Sequence, residues 1–105
     1  MKVHLAVAVA DIEKSVEEYS QLLGARPVVV VPGQYALWRT AELNFSIRHT
    51  KEAAGTVRHV GFERDDAREF TKHVDANGLV WESFNRFDQA KEIAALWPHV
   101  PYDPS

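Results

Sequence analysis

Two histidines head two copies of one short pattern, and imidazole nitrogens are common ligands of divalent metals. His4 and His59 are each followed, after seven positions, by an aspartate, at Asp11 and Asp66. In both copies the stretch between histidine and aspartate has the character of a strand, and the aspartate is placed to open a helix. A duplicated strand–helix unit can bring its two histidines to pseudo-symmetric positions that face one another. The repeat therefore predicts a pair of neighbouring imidazoles, which is the start of a metal site.

The amino-acid composition excludes several classes of function for this chain. The chain has 105 residues, 46% of them apolar, and a net charge of −3, which favours one globular domain and no nucleic-acid partner. It contains no cysteine, which excludes disulfides and thiolate catalysis within these residues. No apolar run has membrane-spanning length, so we expect no membrane partner. We expect a cytoplasmic location because no segment of the chain directs it elsewhere.

The first half of the chain predicts a β-α-β-β-β unit. Residues 2–10 alternate between a bulky apolar face and a face of small residues around His4, where there is space for a ligand. Asp11 is a good N-cap for an amphipathic helix over residues 12–23, and Gly24 suits its left-handed end. Three β-rich segments follow, separated by turn residues, at 28–31, 35–39 and 43–48.

The second half begins as a copy of the first and then departs from it. Residues 57–63 predict a fifth strand, Asp66 a second helix with Ala67, Phe70 and Val74 inward, and residues 79–84 a sixth strand. Asp88 is then placed to cap a short helix that ends at Pro98. The resulting division is module one (1–50), a linker (51–55), a partial module two (56–86), and a C-terminal helix and tail (87–105).

These features resemble the vicinal oxygen chelate superfamily, which contains glyoxalases, bleomycin-resistance proteins and extradiol dioxygenases. The stretch HLAVAVADIEKSVEEYSQLLG is similar to the family's first strand and helix, and the family carries a histidine on the first strand of each βαβββ module. The closest branch we identify is the cadmium-induced and organoarsenical-lyase-like group. Its YAxW…NFAIS region resembles residues 35–38 and 44–47 here, and its HLGIQV strand resembles the stretch from His59. The resemblance implies an α+β fold of tandem βαβββ modules, with module two shortened to roughly βαβ plus a C-terminal helix.

Two departures from the family pattern bear on function. The lyase-like branch grips arsenic with a vicinal cysteine pair, and this chain has no cysteine. The family's acidic ligand lies on the last strand of a module, and residues 43–48 offer no inward carboxylate. The stretch NGLVWESF resembles the branch's terminal DGIAWETF strand, whose glutamate binds metal. Glu82 is that glutamate if the middle of module two has been lost, and an ordinary strand residue if it has not.

The resemblance therefore implies a metal set of His4, His59 and Glu82 that leaves positions open on Fe, Mn, Ni or Zn. Aromatic residues at strand spacing, Trp38, Phe45 and Trp81, could line an apolar cup for the substrate, and Arg48 could hold an anionic group. The alternative for each is an ordinary core aromatic or a solvated charge. Glu63 shares strand parity with His59, as a second candidate near the metal or as an edge residue. No catalytic acid or base is assigned.

Two functions from different classes fit these features. The first is a small metal-dependent enzyme of the glyoxalase or dioxygenase type, acting on a small molecule chelated through adjacent oxygens. The second is a non-catalytic, bleomycin-resistance-like binding protein of the same fold without metal. About six strands in a fold that normally uses eight leave a sheet edge open, which favours a homodimer. Apolar residues of the C-terminus are candidates for that interface: Leu96, Trp97, Val100 and Tyr102.

Overall fold

The computed structural model describes all 105 residues as one seven-stranded mixed sheet with two helices. In chain order the elements are β1 (Lys2–Val9), α1 (Ile12–Leu23), β2 (Val29–Val31), β3 (Tyr35–Arg39), β4 (Leu43–His49), β5 (Val57–Glu63), β6 (Thr71–Val74), β7 (Val80–Phe84) and α2 (Arg86–Leu96). The α+β class and the β-α-β-β-β order of module one are confirmed. Neither helix is both long enough and apolar enough to cross a membrane.

The strand order, β2-β3-β4-β1-β5-β7-β6, reveals the internal repeat. In module one, β1 pairs in parallel with β4, and β4 pairs antiparallel with β3. In module two, β5 pairs in parallel with β7, and β7 pairs antiparallel with β6. β1 and β5 join the modules as an antiparallel pair. The strands of module two therefore correspond to the first, third and fourth strands of module one.

The helix predicted after Asp66 is not there, and this part of the sequence prediction was wrong. Residues 64–70 form a short loop, and Thr71–Val74 form the edge strand β6, all four residues of which are exposed. Seven residues between two strands leave no room for a helix followed by another strand. Module two has thus lost its helix and second strand, so it is βββ rather than βαβ before α2.

The caps of α1 and α2 show how the sequence sets their limits. Asp11 accepts from the Lys14 backbone N–H at 3.0 Å, and Gly24 ends α1 in the left-handed conformation (φ 65°), both as predicted. The start of α2 differs from the prediction. Its N-cap is Asn85, which accepts from the Asp88 backbone N–H at 2.9 Å, while Asp88 returns the contact in a capping box.

The sheet has two faces with different coverings. On the outer face α1 packs against module one and buries an aliphatic and aromatic cluster: Val7, Val9, Ile12, Val16, Ala36, Trp38 and Ile47. On the inner face, α2 and the tail cover a second cluster: Val29, Val31, Tyr35, Leu37 and Ile93, with Trp97, Val100 and Tyr102 against it. The C-terminal residues predicted for a dimer interface are therefore mostly used within their own chain. His4 lies on the inner face, beside this second cluster.

Candidate metal centre

The two repeated histidines converge with one carboxylate on the inner face of the sheet. His4 lies on β1, His59 on β5 and Glu82 on β7, and these three strands are neighbours in the sheet. One ligand atom from each residue lies within 4.8 Å of the other two. β7 pairs in parallel with β5 just as β4 pairs with β1 in module one, and this pairing brings the strand of Glu82 beside that of His59.

The distances within this trio suit ligands that share one ion. His59 Nε2 lies 3.2 Å from Glu82 Oε1, and His4 Nε2 lies 4.0 Å from the same oxygen. The two imidazole ring centroids are 5.0 Å apart, with their planes tilted by 34°. His4 and Glu82 are buried, and His59 is 19% exposed. Two imidazole nitrogens and a carboxylate oxygen are the donors of a facial triad with open positions.

Gly61 allows the strand of Glu82 to take this position. In the sheet register His4 lies opposite Gly61, and Gly61 lies opposite Glu82, so the three form one row across β1, β5 and β7. A Cβ atom built on Gly61 would lie 1.9 Å from the backbone oxygen of Glu82. Any side chain at Gly61 would therefore push β7 away from β5 and carry the Glu82 carboxylate with it.

A polar network behind His4 holds its ring. His4 Nδ1 lies 2.9 Å from Asn44 Oδ1 and 3.1 Å from the Asn44 backbone oxygen. Asn44 Nδ2 donates to Glu63 Oε1 at 2.8 Å, and Arg39 donates to both oxygens of Glu63 at 2.8 and 2.9 Å. The Nε2 atom of His4 is left facing the trio. This arrangement supports a ligating histidine from behind, as second-layer hydrogen bonds do in metal proteins.

Burial disfavours the charged form of each side chain in the trio. Burial lowers the pKa of His4 against the opposing effect of its hydrogen bonds to Asn44. Burial also lowers the pKa of His59, and the neighbouring His4, Arg58 and Lys72 lower it further. Burial raises the pKa of Glu82, although Lys72 opposes this. Unprotonated imidazole is the form that binds metal, so the site presents both histidines ready for a cation.

The trio opens into a cavity of about 50 Å³. Space of that size holds a metal ion with a few waters, since one water needs roughly 10–15 Å³ by this measure. The lining mixes polar and apolar side chains from the sheet, α2 and the residue after it: His4, Tyr35, Ser46, Arg48, Arg58, His59, Glu82, Phe84, Gln89, Glu92, Ile93, Leu96 and Trp97. Three charged side chains besides Glu82 therefore face the same space, namely Arg48, Arg58 and Glu92.

Of the residues predicted to bind substrate, the structure brings Arg48 to the cavity and places the aromatic residues elsewhere. Trp38 and Phe45 lie on the outer face, where they pack with Tyr19 of α1. Trp81 is 37% exposed and stacks on Phe62, on the side opposite to Glu82. Strand alternation explains the correction, because each of the three has the opposite parity to the inward residues of its own strand. Tyr35, Phe84 and Trp97 line the cavity instead, so the aromatic part of its wall comes from other residues.

Apart from Arg48 and Glu63, sequence reasoning did not identify the residues that surround the trio. Asn44, Ser46 and Arg48 alternate with Leu43, Phe45 and Ile47, and that polar alternation marked one face of β4 as different from the other. Ser46 and Gln89 are both buried. Glu63 takes the role of an anchor for Arg39 and Asn44 rather than that of a metal neighbour or an edge residue.

The chain is similar to known proteins in sequence and in fold. Residues 3–104 match the family model of the Glyoxalase/Bleomycin resistance protein/Dioxygenase superfamily. A trivalent organoarsenical cleaving enzyme of Bacillus sp. (strain MD1) is 38% identical over 93% of this chain and 65% of its own length. A probable trivalent organoarsenical cleaving enzyme of Bacillus subtilis (strain 168) is 38% identical over 68% of this chain and 50% of its own. The chain thus spans at most about two thirds of the relatives it matches.

One solved structure shares the fold at low identity. It is described as the NAD-dependent benzaldehyde dehydrogenase from Legionella pneumophila, and it aligns with a TM-score of 0.56 at 14% identity. The alignment covers 80% of this chain and 99% of the other. At that identity the likeness concerns the fold alone.

Proposed function

Because the chain belongs to the Glyoxalase/Bleomycin resistance protein/Dioxygenase superfamily, we propose that it binds a divalent metal ion through His4, His59 and Glu82 and uses it on a small molecule. The donor set fits Fe, Mn, Ni or Zn, which accept imidazole nitrogen together with carboxylate oxygen. Such an ion supplies Lewis acidity to a substrate bound through two adjacent oxygens. The protein belongs, on this proposal, with the metal-dependent lyases or dioxygenases of the superfamily.

The convergence of the three ligand atoms carries this proposal. They come from strands far apart in sequence, and they meet within 4.8 Å on one face of the sheet. Ser46 occupies the position in module one that Glu82 occupies in module two, since Ala6 pairs with Ser46 as Gly61 pairs with Glu82. The Ser46 hydroxyl therefore lies where a second carboxylate would add a fourth metal ligand. Room for an incoming oxygen ligand lies on that side.

The cavity favours a small anionic substrate with oxygen donors. Arg48 lines it, with its guanidinium 5.3 Å from the centre of the Trp97 ring, and Arg58 lines it as well. The two relatives are named as cleaving trivalent organoarsenicals, and a trivalent arsenic centre prefers thiolate ligands. These 105 residues contain no cysteine. We therefore propose a substrate held by oxygen on the metal and by charge on Arg48, rather than an arsenical held by thiolates.

The metal-free binding protein is the weaker candidate. Sequestration of a ligand without metal calls for an apolar cavity large enough to enclose it. The cavity here is small, and its wall includes two histidines, two arginines and two glutamates. That lining suits coordination and charge pairing better than enclosure of an apolar ligand.

Metal content of the purified protein tests the proposal. We expect about one equivalent of a first-row divalent metal after reconstitution, and a loss of at least 100-fold in affinity in His4→Ala, His59→Ala and Glu82→Gln. His49→Ala is the matched control, because His49 is exposed at the end of β4. Wild-type protein that binds no ion more tightly than these three variants would reject the metal and leave the binding-protein alternative.

We also propose that the chain forms a homodimer, with the open edge of module two at the interface. All four residues of β6 are exposed, and module two has no helix over its outer face. An unpaired edge strand is a common route to pairing with another chain. Light scattering at micromolar concentration should give about twice the mass of the chain. A monomer under those conditions would reject the proposed dimer and would leave the metal proposal unaffected.

A further inference from the structure

Asn44 uses every hydrogen-bonding group of its side chain in a fully buried position next to His4. Its Oδ1 faces His4 Nδ1 at 2.9 Å and accepts from Gln89 Nε2 at 3.1 Å. Its Nδ2 donates to Glu63 and to Gln89, each at 2.8 Å. A buried amide with four satisfied contacts is fixed in one orientation, because any flip leaves unpaired polar groups.

We propose that Asn44 is a positioning residue that holds His4 in the Nδ1–H tautomer, so that Nε2 presents a lone pair to the metal. This inference rests on the proposed metal function. Both Asn44 atoms near His4 Nδ1 are oxygens and can only accept, so the hydrogen must lie on His4 Nδ1. A neutral imidazole with Nδ1–H has an unprotonated Nε2, which is the nitrogen that faces Glu82.

The orientation of Asn44 is itself set by a charged pair. Glu63 Oε1 can only accept, so it requires the amide nitrogen of Asn44 on its side and leaves Oδ1 for His4. Arg39 keeps Glu63 charged and in place by donating to both of its oxygens. Arg39 therefore fixes Glu63, Glu63 fixes the orientation of Asn44, and Asn44 fixes the tautomer of His4.

Gln89 connects this chain of contacts to α2. It exchanges two hydrogen bonds with Asn44, one in each direction, and it is the only α2 residue that touches the network. α2 also supplies Gln89, Glu92 and Ile93 to the cavity wall. Docking of α2 and the orientation of His4 are thus linked through one amide pair.

Module two lacks this device. Asn44 precedes Ser46 by two residues on β4, and the residue two before Glu82 on β7 is Val80, which has no polar side chain. His59 is also more exposed than His4. Control of the tautomer is therefore built into one of the two histidines.

The tautomer can be measured in the metal-free protein by long-range ¹H–¹⁵N NMR of the imidazole nitrogens. We expect His4 to show a protonated Nδ1 and a bare Nε2 at neutral pH in the wild type. Asn44→Leu should lose that preference and bind Zn²⁺ about 10- to 100-fold more weakly. Ser20→Ala is the control, because it removes a buried hydrogen bond to Trp38 on the outer face of the sheet. It should leave the His4 tautomer and the Zn²⁺ affinity unchanged.

A rescue pair keeps the test decisive if Asn44→Leu does not fold. Asn44→Asp alone places a carboxylate against Glu63 and should unfold or weaken the protein. Asn44→Asp with Glu63→Gln removes the repulsion between carboxylates and restores an acceptor for His4, so it should recover the Nδ1–H tautomer. It should stay less stable than wild type, because the introduced amide also faces Arg39 Nε–H.

Four results separate the possible failures. A His4 ring with a protonated Nε2 in the wild type overturns the role of Asn44, and so does a folded Asn44→Leu variant with wild-type Zn²⁺ affinity. A double variant that folds with the other tautomer overturns it as well. A wild-type protein with the expected tautomer but no bound metal rejects the proposed function and supports the positioning of His4.

Discussion

Module one and module two contain the same three-strand arrangement, but corresponding residues are buried to different extents in the two modules. Phe45 and Trp81 show this directly, because each precedes the inward residue of its strand, Ser46 or Glu82, by one position. Phe45 is covered by Tyr19 of α1. Trp81 has no helix above it and is 37% exposed. Loss of one helix therefore changed a core position into a surface one.

The two modules also contribute different things to the candidate site. Module one supplies a buried histidine with a fixed partner, Asn44, and a hydroxyl at Ser46. Module two supplies the carboxylate of Glu82 and the more exposed histidine, His59. Module two also supplies Glu63, which fixes Asn44, so the orientation of His4 depends on both modules.

The largest effect should come from the core of module one. Trp38 is fully buried, so Trp38→Ala should cost about 3–5 kcal/mol of unfolding free energy. Trp81→Ala should cost about 1–2 kcal/mol, because that ring is partly exposed and packs mainly on Phe62. Urea unfolding of both variants measures the difference. Equal costs would contradict the view that module one provides most of the stability.

The strand pairs of the two modules should differ in their tolerance of a methyl group. Gly61→Ala forces the new methyl against the backbone of Glu82 and should cost about 3 kcal/mol, with loss of metal binding. The counterpart in module one is already an alanine, Ala6, opposite Ser46. Ala6→Gly should cost only about 1 kcal/mol and leave metal binding in place. Metal titration and thermal melting of both variants test this, and a stable, metal-binding Gly61→Ala variant would show that β7 can shift freely.

How far the sequence predicted the molecule also differs between the modules. Module one was predicted almost element by element, because Asp11, Gly24 and the strand periodicity are strong local signals. In module two, Ala67, Phe70 and Val74 fit a helical spacing only because the first module was taken as a template. Their number is too small to distinguish a helix from a loop and an edge strand, and Val74 is in fact 61% exposed. The residues that remain carry no sequence signal that a helix is missing.

The structure brings together the three residues predicted as metal ligands, whereas most of the residues around them were not predicted. His4 and His59 were found from the repeat, and Glu82 from a resemblance that depended on the very deletion the sheet order reveals. Asn44, Glu63 and Gln89 come together only through the pairing of β4 with β1 and the docking of α2. Trp38 and Phe45 were assigned to the wrong face because the sequence gives each strand's alternation but not which face it turns to His4.

The two buried carboxylates should respond to pH with opposite signs. Burial raises the pKa of Glu63, but hydrogen bonds from Arg39 and Asn44 outweigh it and lower that pKa below 4.5. Glu63 therefore stabilises the fold above pH 4.5, and the benefit is lost as the pH falls through its lowered pKa. Burial raises the pKa of Glu82 above 4.5, so its charge destabilises the metal-free fold at neutral pH, and this cost disappears in acid.

Melting temperatures of metal-free variants between about pH 3 and pH 8 separate these two carboxylates. Glu63→Gln should melt below wild type at neutral pH, and the gap should narrow in acid. Glu82→Gln should melt above wild type at neutral pH, and that gain should fade as the pH falls through the raised pKa of Glu82 and be gone below pH 4.5. Parallel curves for the two variants would mean that Glu82 is as well compensated as Glu63, and that module two carries no cost for its charge.

The smallest effect should come from the lysine beside Glu82. Lys72 Nζ lies 3.7 Å from Glu82 Oε2, but the Lys72 side chain is 62% exposed on the edge strand β6. Exposed ion pairs contribute little because water and salt screen them, so Lys72→Met should change stability by less than about 0.5 kcal/mol. Removing a cation next to a metal ligand should, if anything, tighten metal binding slightly at low salt, and the difference should vanish at high salt. A large loss of stability or of metal affinity in Lys72→Met would show that module two holds Glu82 with a fixed partner after all, as module one holds His4.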